Sequence, residues 1–181
     1  MSLKPHYFYS LSSLINRHGE AIASKLLGSF SPFIDTSAAD FLTKKAISME
    51  KKDLSRTFLA LSSDDGKILG FFTLGLKCIR IPDDSKLSKN VLKQCNIEDT
   101  TKVAQAFLLG QLARSSDSPK GFGDVLMDSA IMKLRTAKEI VGCRMLRLYC
   151  TDELLPYYLK HGFVMIRKNE DKDLNQMLLF I

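Results

Sequence analysis

The first third of the chain shows the apolar spacing of helices. After a strand-like segment over residues 7–10, apolar side chains recur at steps of three and four through residues 11–27, and Gly19 marks a point where this helix can break. Residues 37–54 repeat the period and predict a second amphipathic helix. Its polar face carries a row of basic side chains: Lys44, Lys45, Lys51 and Lys52.

From residue 57 the period changes to that of β-strands. Residues 57–61 and 68–81 are apolar runs separated by Ser-Asp-Asp-Gly-Lys, a hairpin-type turn. Residues 103–113 form a third apolar run, and residues 86–95 predict a short helix or an ordered insertion.

The last third alternates helices with strands. Residues 121–140 predict a long amphipathic helix, and a strand, a short helix and two strands follow at residues 143–150, 153–160, 163–167 and 177–180. Hairpins followed by such alternation indicate an α/β fold, in which a mixed sheet carries helices on both faces.

Length and composition fit one globular domain. The chain has 181 residues, of which 45% are hydrophobic and 25% charged, so we expect a single domain over residues 1–181. No apolar run approaches the ~20 residues that a membrane helix needs, and residues 1–6 lack the apolar core of a signal peptide. We therefore expect a cytoplasmic protein with no membrane partner. The net charge of +6 at pH 7 favours polyanionic ligands without choosing among them.

The cysteines form neither a metal motif nor a disulfide motif. Cys78, Cys95, Cys143 and Cys150 are widely scattered, with no C-x-x-C pair and no histidine at zinc spacing. Three of them lie in apolar strand-like runs, so we expect reduced, buried thiols and no metal.

The junction between the third apolar run and the long helix has the composition of an anion site. From residue 114 to residue 123 it reads Arg-Ser-Ser-Asp-Ser-Pro-Lys-Gly-Phe-Gly. Gly121 and Gly123 let the backbone approach an anion, and the first amides of the new helix have no intrahelical acceptor. Those amides, the helix dipole and the charge of Lys120 suit a diphosphate. The pattern matches neither a P-loop nor a dinucleotide-binding turn, and a tight turn without a ligand stays open as the alternative.

Two adjacent tyrosines near the end of the chain are candidates for chemistry. The short helix over residues 153–160 is followed by Gly162, which suits a left-handed cap, and Phe163 returns the chain to the sheet. Tyr157 and Tyr158 point about 100° apart on a helix, so one ring can pack in the core while the other presents its hydroxyl elsewhere. A core tyrosine with a satisfied hydroxyl fits the same pattern.

The chain resembles the GNAT family of acetyltransferases over roughly residues 100–165. The resemblance rests on three features in order: Gly-x-Gly at a helix start, a strand, and the motif Tyr-Tyr-Leu-Lys-His-Gly-Phe. The resemblance implies a mostly antiparallel sheet of about six or seven strands flanked by helices, and acetyl-CoA as cosubstrate without a metal. It implies direct attack of an amine on the thioester, with Tyr158 as general acid and a backbone amide around Leu112 stabilising the oxyanion. The residues that it implies bind acetyl-CoA are Leu112, Ala113, Arg114, Lys120, Gly121, Phe122, Gly123 and Asp124.

Further similarity extends to the toxin branch of that family. Residues 56–61 with Gly-Phe-Phe-Thr-Leu at 70–74 resemble the strand pair of the branch, and Leu-Gly-Gln-Leu-Ala at 109–113 resembles its Leu-Gly-Arg-Leu-Ala strand. This implies the amine of aminoacyl-tRNA as acceptor and an antitoxin as partner, and it leaves a homodimer open. The chain departs from the family at Ser118, where Gln or Arg is usual, at Pro119, which has no amide hydrogen, and at Gln111, where the branch has arginine.

The acceptor and the general base stay open at this point. A protein amine or a small-molecule amine fits the sequence as well as aminoacyl-tRNA does. Asp152, Glu153 and His161 lie near the tyrosine in sequence, but none has the pattern of a base. The other class of function is a non-catalytic module that binds coenzyme A or a partner protein on the same fold.

Overall fold

The computed structural model describes residues 5–34, 36–83, 85, 87–95, 97–98, 100–169 and 173–181. The chain divides into two compact units, which we call the first unit (residues 1–75 and 110–132) and the second unit (residues 76–109 and 133–181). The single domain over residues 1–181 stays a prediction.

The described residues form strands and helices in the following order. The elements up to the middle of the chain are β1 (His6–Ser10), α1 (Leu11–His18), α2 (Glu20–Gly28), α3 (Thr36–Lys44), α4 (Ala46–Lys51), β2 (Ser55–Ser62), β3 (Ile68–Leu76) and β4 (Ile79–Arg80). The remaining elements are α5 (Lys89–Gln94), β5 (Val103–Ala104), β6 (Phe107–Arg114), α6 (Phe122–Val141), β7 (Met145–Cys150), a 3₁₀ turn (Asp152–Leu154), α7 (Leu155–Lys160), β8 (Val164–Asn169) and β9 (Leu174–Phe180).

Seven of these strands form one sheet, in the order β1-β2-β3-β6-β7-β9-β8, and β4 pairs with β5. Strands β6 and β7 are parallel, through the pairs Phe107↔Leu146 and Leu108↔Arg147. The β1–β2, β2–β3, β7–β9 and β8–β9 pairs are antiparallel. The predicted α/β fold, with a mixed and mostly antiparallel sheet flanked by helices, is therefore confirmed. In the described part of the chain no helix has the length and apolar character needed to cross a membrane.

The helices of the first unit are more broken than their apolar period indicates. The predicted interruption at Gly19 is present, with φ 84° and ψ 159°. The single helix predicted over residues 37–54 is wrong, because α3 and α4 are separate and Lys45 between them has φ −124°. The period continues across the break since both helices bury a face in the same core, where Leu42 and Ala46 are 0% exposed.

Two predicted strands are also divided. The run over residues 68–81 is β3 followed by β4, and the run over residues 103–113 is β5 followed by most of β6. Their sequences stay apolar because Ile79 and Ala104, which pair with each other, belong to the buried core of the second unit. The helix predicted over residues 86–95 is α5, although residue 86 lies outside the described residues.

A buried carboxylate joins α4 to the start of β2. Glu50 is 4% exposed, its Oε2 accepts a hydrogen bond from the Thr57 amide at 2.8 Å, and its Oε1 lies 3.4 Å from Nη1 of Arg56. Burial raises the pKa of Glu50, and the contacts with Thr57 and Arg56 offset part of this rise. The folded state therefore disfavours the charged form of this residue.

We predict that Glu50→Gln changes the pH dependence of stability. Because the folded pKa is raised, the contribution of Glu50 to the free energy of unfolding is complete below its unfolded pKa and is lost as pH rises through its folded pKa. Glutamine does not titrate, so the stability of the wild type should fall relative to the variant as pH rises above the unfolded pKa of glutamate, about 4.3. Urea unfolding at several pH values measures this, and parallel curves would contradict it. Glu50→Ala is the control: it also lacks the titration but leaves the Thr57 amide unpaired, at a cost of about 1–3 kcal/mol throughout.

Candidate functional site

The end of β6 leads directly into the predicted anion loop and is fixed there by residues near the end of α2. Leu112, Ala113 and Arg114 are partly exposed strand residues of the first unit. The Arg114 carbonyl accepts a hydrogen bond from the Phe33 amide at 3.0 Å. The Arg114 guanidinium carbon lies 3.3 Å from the centre of the Phe33 ring, a cation–π contact. Arg114 is therefore held on Phe33, a contact that nothing in the sequence indicated.

Serine side chains brace the loop over residues 115–118. The Ser115 amide donates to the Leu69 carbonyl at 2.8 Å, and the Ser115 hydroxyl accepts from the Asp117 amide at 3.1 Å. The Ser118 hydroxyl is buried and donates to the Ser115 carbonyl at 2.6 Å. The serine that stands in place of the family's Gln or Arg therefore holds the loop in shape from within.

The turn before α6 requires its glycine. Gly121 has φ 86°, in the left-handed region that a side chain disfavours, although a Cβ there would meet no atom within 4 Å. The Phe122 amide donates to the Pro119 carbonyl at 3.1 Å. The Phe122 ring is 0% exposed and lies 5.1 Å from the His6 ring, centre to centre. The Phe122 side chain therefore belongs to the core and fixes the start of the helix.

Three amides at this helix start donate to no backbone carbonyl among the described residues: those of Lys120, Gly121 and Gly123. The Lys120 side chain is exposed, and Asp124 lies in the first turn with its amide bonded to the Gly121 carbonyl at 3.0 Å. Unpaired amides, one cation and the positive end of a 20-residue helix are together a binding arrangement for phosphate groups.

Tyr158 lies in the second unit on α7, whose end has a regular cap. The Phe163 amide donates to the Tyr158 carbonyl at 3.1 Å, and the Gly162 amide donates to the Leu159 carbonyl at 3.0 Å. Gly162 has φ 83°, so this is a Schellman cap with glycine in the left-handed position, as predicted. The cap fixes the direction in which the Tyr158 side chain leaves the helix.

The segment before α7 is held by an ion pair and a buried amide. The Asp152 carboxylate accepts hydrogen bonds from Nζ of Lys168 at 2.6 Å and from Nδ2 of Asn175 at 2.7 Å. The bond from Lys168, followed by that from Asn175, lowers the pKa of Asp152. Asn175 is 1% exposed on β9. Both ends of the segment that carries Tyr158 are therefore attached to the second unit.

The phenol of Tyr158 stands in apolar surroundings. The residue is 7% exposed, and its ring makes edge contacts with Tyr157 and Phe163 at centroid distances of 5.2 and 5.6 Å. Its hydroxyl forms no hydrogen bond with the described residues. Burial raises the pKa of Tyr158 well above its ordinary value, with a smaller contribution from Cys150. Burial likewise raises the pKa of the Cys150 thiol to about 11, so both groups are protonated at neutral pH.

The predicted acetyl-CoA residues and the predicted acid belong to different units. Tyr158 is in the second unit, and all the others are in the first: Leu112, Ala113, Arg114, Lys120, Gly121, Phe122, Gly123 and Asp124. The prediction of buried thiols holds for Cys95 and Cys150. It is wrong for Cys78, which is exposed after the end of β3, and for Cys143, which is only partly buried.

Three of the four lysines in the predicted basic row line a groove of about 510 Å³ in the first unit. We call it the lysine groove; its lining residues are Glu20, Ser24, Thr43, Lys44, Ile47, Ser48, Lys51 and Lys52. Nζ of Lys44 lies 2.6 Å from Asp40, and Nζ of Lys51 lies 2.8 Å from Glu20. Lys52 is exposed and forms no ion pair with any described residue, and Lys45 lies at the break between α3 and α4 instead.

The fold matches solved structures along nearly the whole chain, whereas no protein-family model matches the sequence. A tyrosine-to-phenylalanine mutant of KacT is 18% identical with a TM-score of 0.73, over 94% of this chain and 93% of that one. AtaT complexed with acetyl-methionyl-tRNAfMet is 17% identical with a TM-score of 0.72, over 95% and 94%. A bacterial toxin is 12% identical with a TM-score of 0.74, over 100% and 92%. This chain therefore has the GNAT fold that its motifs predicted.

Proposed function

We propose that this protein transfers the acetyl group of acetyl-CoA to an amine. The observation that carries the proposal is the start of α6, where the amides of Lys120, Gly121 and Gly123 donate to no backbone carbonyl among the described residues and Gly121 has φ 86°. Such a helix start suits a diphosphate, because its amides can donate hydrogen bonds to phosphate oxygens and the helix dipole favours negative charge there. Acetyl-CoA carries both a diphosphate and a transferable acyl group.

The binding of the cosubstrate is assigned to the first unit. The amides of Lys120, Gly121 and Gly123 would donate to the diphosphate oxygens, and the exposed ammonium group of Lys120 would add charge. Pro119 offers no amide hydrogen, but its carbonyl accepts from Phe122 and so stabilises the turn. The partly exposed residues Leu112 to Arg114 would line the pantetheine arm.

Tyr158 is proposed as the general acid of the transfer. The amine nitrogen attacks the thioester carbonyl, the C–N bond forms, the C–S bond breaks, and the coenzyme A thiolate leaves with the bonding pair. The phenol gives its proton to that thiolate, the attacking nitrogen loses a proton to water, and the phenolate then regains a proton from water. The raised pKa keeps the phenol protonated at neutral pH. Proton transfer from this phenol to the thiolate is favourable only if the thiolate is also removed from water. Burial then raises the pKa of the thiol as it raises that of the phenol.

Solved structures of similar fold support the choice of acetyl-CoA. A mutant AtaT toxin is bound to acetyl-CoA and to the C-terminus of the antitoxin AtaR, and it is 18% identical to this chain with a TM-score of 0.61. By analogy we propose acetyl-CoA as cosubstrate and an antitoxin as protein partner here. The analogy rests on the fold, and the site residues above supply the chemistry.

For the acceptor, we propose the amine of an aminoacyl-tRNA. AtaT is solved with acetyl-methionyl-tRNAfMet, and the lysine groove of this chain offers the cations and hydroxyls that contact phosphate backbones. The α-amine of an aminoacyl ester also has a low pKa, so it needs no side chain as base. A protein amine or a small-molecule amine is the second candidate for the acceptor.

We predict that the double variant Lys44→Ala and Lys52→Ala weakens tRNA binding. Each lysine that contacts a phosphate releases about one counterion, so the slope of log affinity against log salt should fall by about two. Fluorescence anisotropy with labelled tRNA at several salt concentrations measures both quantities. The matched control is Lys89→Ala with Lys93→Ala on α5, which removes the same charge from the second unit. Equal losses in both double variants would remove the lysine groove from the proposal.

The activity itself is tested by thiol release from acetyl-CoA in the presence of charged tRNA, peptides and small amines. We expect one free thiol for each acetylated amine with at least one acceptor, and charged tRNA as the fastest. Calorimetric binding of acetyl-CoA without turnover on any acceptor would instead support a non-catalytic coenzyme A-binding module.

A further inference from the structure

Arg147 is a buried arginine of the second unit that has no acidic partner among the residues that the structure describes. It is the third residue of β7, is 3% exposed, and is paired across the sheet with Leu108 and Leu178. Arginine is almost never so fully buried unless it is paired with an anion. In the described part of the chain no carboxylate lies within ion-pair distance of Arg147.

Only part of its guanidinium group is satisfied. Nη1 donates to the Cys78 carbonyl at 2.6 Å, and Nη2 donates to the Tyr149 hydroxyl. Nε is buried and has no hydrogen-bond partner among the described residues. A buried cation in low dielectric, with a neutral carbonyl and a phenol as its hydrogen-bond acceptors, is unfavourable by itself. The described residues therefore hold a positive charge at Arg147 and supply no counter-charge to it.

Tyr149 connects this buried charge to the surface. It is 37% exposed, and its ring centre lies 4.8 Å from the guanidinium carbon of Arg147. Because its oxygen accepts the hydrogen bond from Arg147, its own hydrogen is left to donate to another group. Accepting from a cation also polarises the phenol and strengthens it as a donor.

This pair lies apart from Tyr158. Successive side chains of a strand alternate between its faces, so Arg147 and Tyr149 lie on one face of β7 and Cys150 on the other. Cys150 is the residue that, after burial, contributes to the raised pKa of Tyr158. The Arg147–Tyr149 pair is consequently not a part of the surroundings of the proposed acid.

We propose that Arg147 and Tyr149 form a binding site for an oxyanion, either a carboxylate or a phosphate group. The ligand accepts a hydrogen bond from the Tyr149 hydroxyl, and the guanidinium behind that hydroxyl supplies the charge. A neutral ligand would leave Arg147 without a counter-charge, which is why the site selects an anion. The inference goes beyond the proposed acetyl transfer and does not depend on it.

The test uses acetate and orthophosphate as separate probes at constant ionic strength, with chloride as the reference salt. Each is titrated into the full chain with coenzyme A present and absent, because coenzyme A is expected to occupy the helix start of α6. We expect the melting temperature to rise saturably with one of the two probes, and Tyr149→Phe to raise the half-saturating concentration about tenfold or more. Tyr7→Phe, which removes an exposed phenol hydroxyl from β1, is the matched control and should behave as the wild type.

Identical titrations for wild type and Tyr149→Phe would overturn the proposal, and so would the lack of saturation with both probes. The comparison stands whether or not coenzyme A binds, so it is separate from the proposed function. If Tyr149→Phe does not fold, the Nε–H resonance of Arg147 in the wild type gives the answer: it should shift along a saturable curve with the active probe, and an unmoved resonance would rule the site out.

Discussion

Replacement of Tyr158 by phenylalanine is expected to lower kcat by about 10²-fold or more while leaving acetyl-CoA affinity within about threefold. A positioned acid contributes roughly 10²–10⁴-fold to a rate, and the thiolate would have to leave without a proton. The phenylalanine ring keeps the edge contacts with Tyr157 and Phe163, so α7 should keep its place. The Tyr158 hydroxyl makes no hydrogen bond with the described residues, which means that its loss costs little stability.

The control for this experiment is the neighbouring Tyr157→Phe, which removes a hydroxyl one residue earlier on the same helix. Steady-state kinetics with acetyl-CoA and the best acceptor, together with calorimetry for affinity, separates chemistry from binding. A Tyr158→Phe enzyme with the kcat of the wild type would remove this residue from the mechanism. A loss confined to Tyr157→Phe would transfer the role to Tyr157.

The second large effect is expected at Gly70. A Cβ at this position would lie 2.7 Å from Cδ1 of Leu126, 2.9 Å from the carbonyl oxygen of Ala113 and 3.3 Å from Cα of Arg114. Leu126 can rotate, but the backbone of β6 can only move away from β3. Gly70→Ala should therefore lower the free energy of unfolding by about 1–3 kcal/mol, the usual cost of overpacking. Because Ala113 and Arg114 lead into the anion loop, acetyl-CoA affinity should fall as well.

Gly28→Ala provides the comparison for Gly70→Ala. Gly28 is the last residue of α2, and a Cβ there would meet no atom within 4 Å. Alanine should be neutral or stabilising by about 0.4–1 kcal/mol, since it restricts the unfolded chain and favours the helix. Urea unfolding of the two variants, with calorimetry for acetyl-CoA, measures the difference. Equal stability of Gly70→Ala and Gly28→Ala would show that β6 tolerates the displacement.

The fold could be predicted from the sequence, and so could the two motifs in which a glycine has a positive φ angle. Gly121 and Gly162 could be recognised because each occupies a left-handed position that glycine favours, and each lies beside a helix end. The hydrophobic period placed α6, β7 and α7 within a few residues of their observed bounds. These features depend on local geometry, which a single sequence records.

Features that depend on distant partners could not be predicted. Ser118 bonds to Ser115, and the Ser115 amide in turn bonds to Leu69, which is far away along the chain. The end of β3 at Leu76 was missed because the apolar run continues into a different buried core. A period shows that a side chain is buried, but not which core buries it.

Arg147 illustrates the same limit for charge. In the sequence it is one of two arginines in the strand predicted over residues 143–150, a pattern that also fits an exposed edge position. Only the structure shows that it is 3% exposed and bonded to Cys78 and Tyr149. Whether a charged side chain is buried depends on the assembled core, and the residues adjacent to it in sequence do not determine it.

The proposed activity depends on the start of α6, where the amides of Lys120, Gly121 and Gly123 are proposed to bind the diphosphate of acetyl-CoA. Calorimetric titration of the wild-type protein with acetyl-CoA and with acetyl-pantetheine tests it most directly, because the second compound keeps the thioester and lacks the diphosphate and the 3′-phosphoadenosine attached to it. We predict that acetyl-CoA binds about 100-fold or more tighter, since several charge-assisted hydrogen bonds are lost with the diphosphate. Equal affinities for the two compounds, or no binding of acetyl-CoA, would contradict the claim.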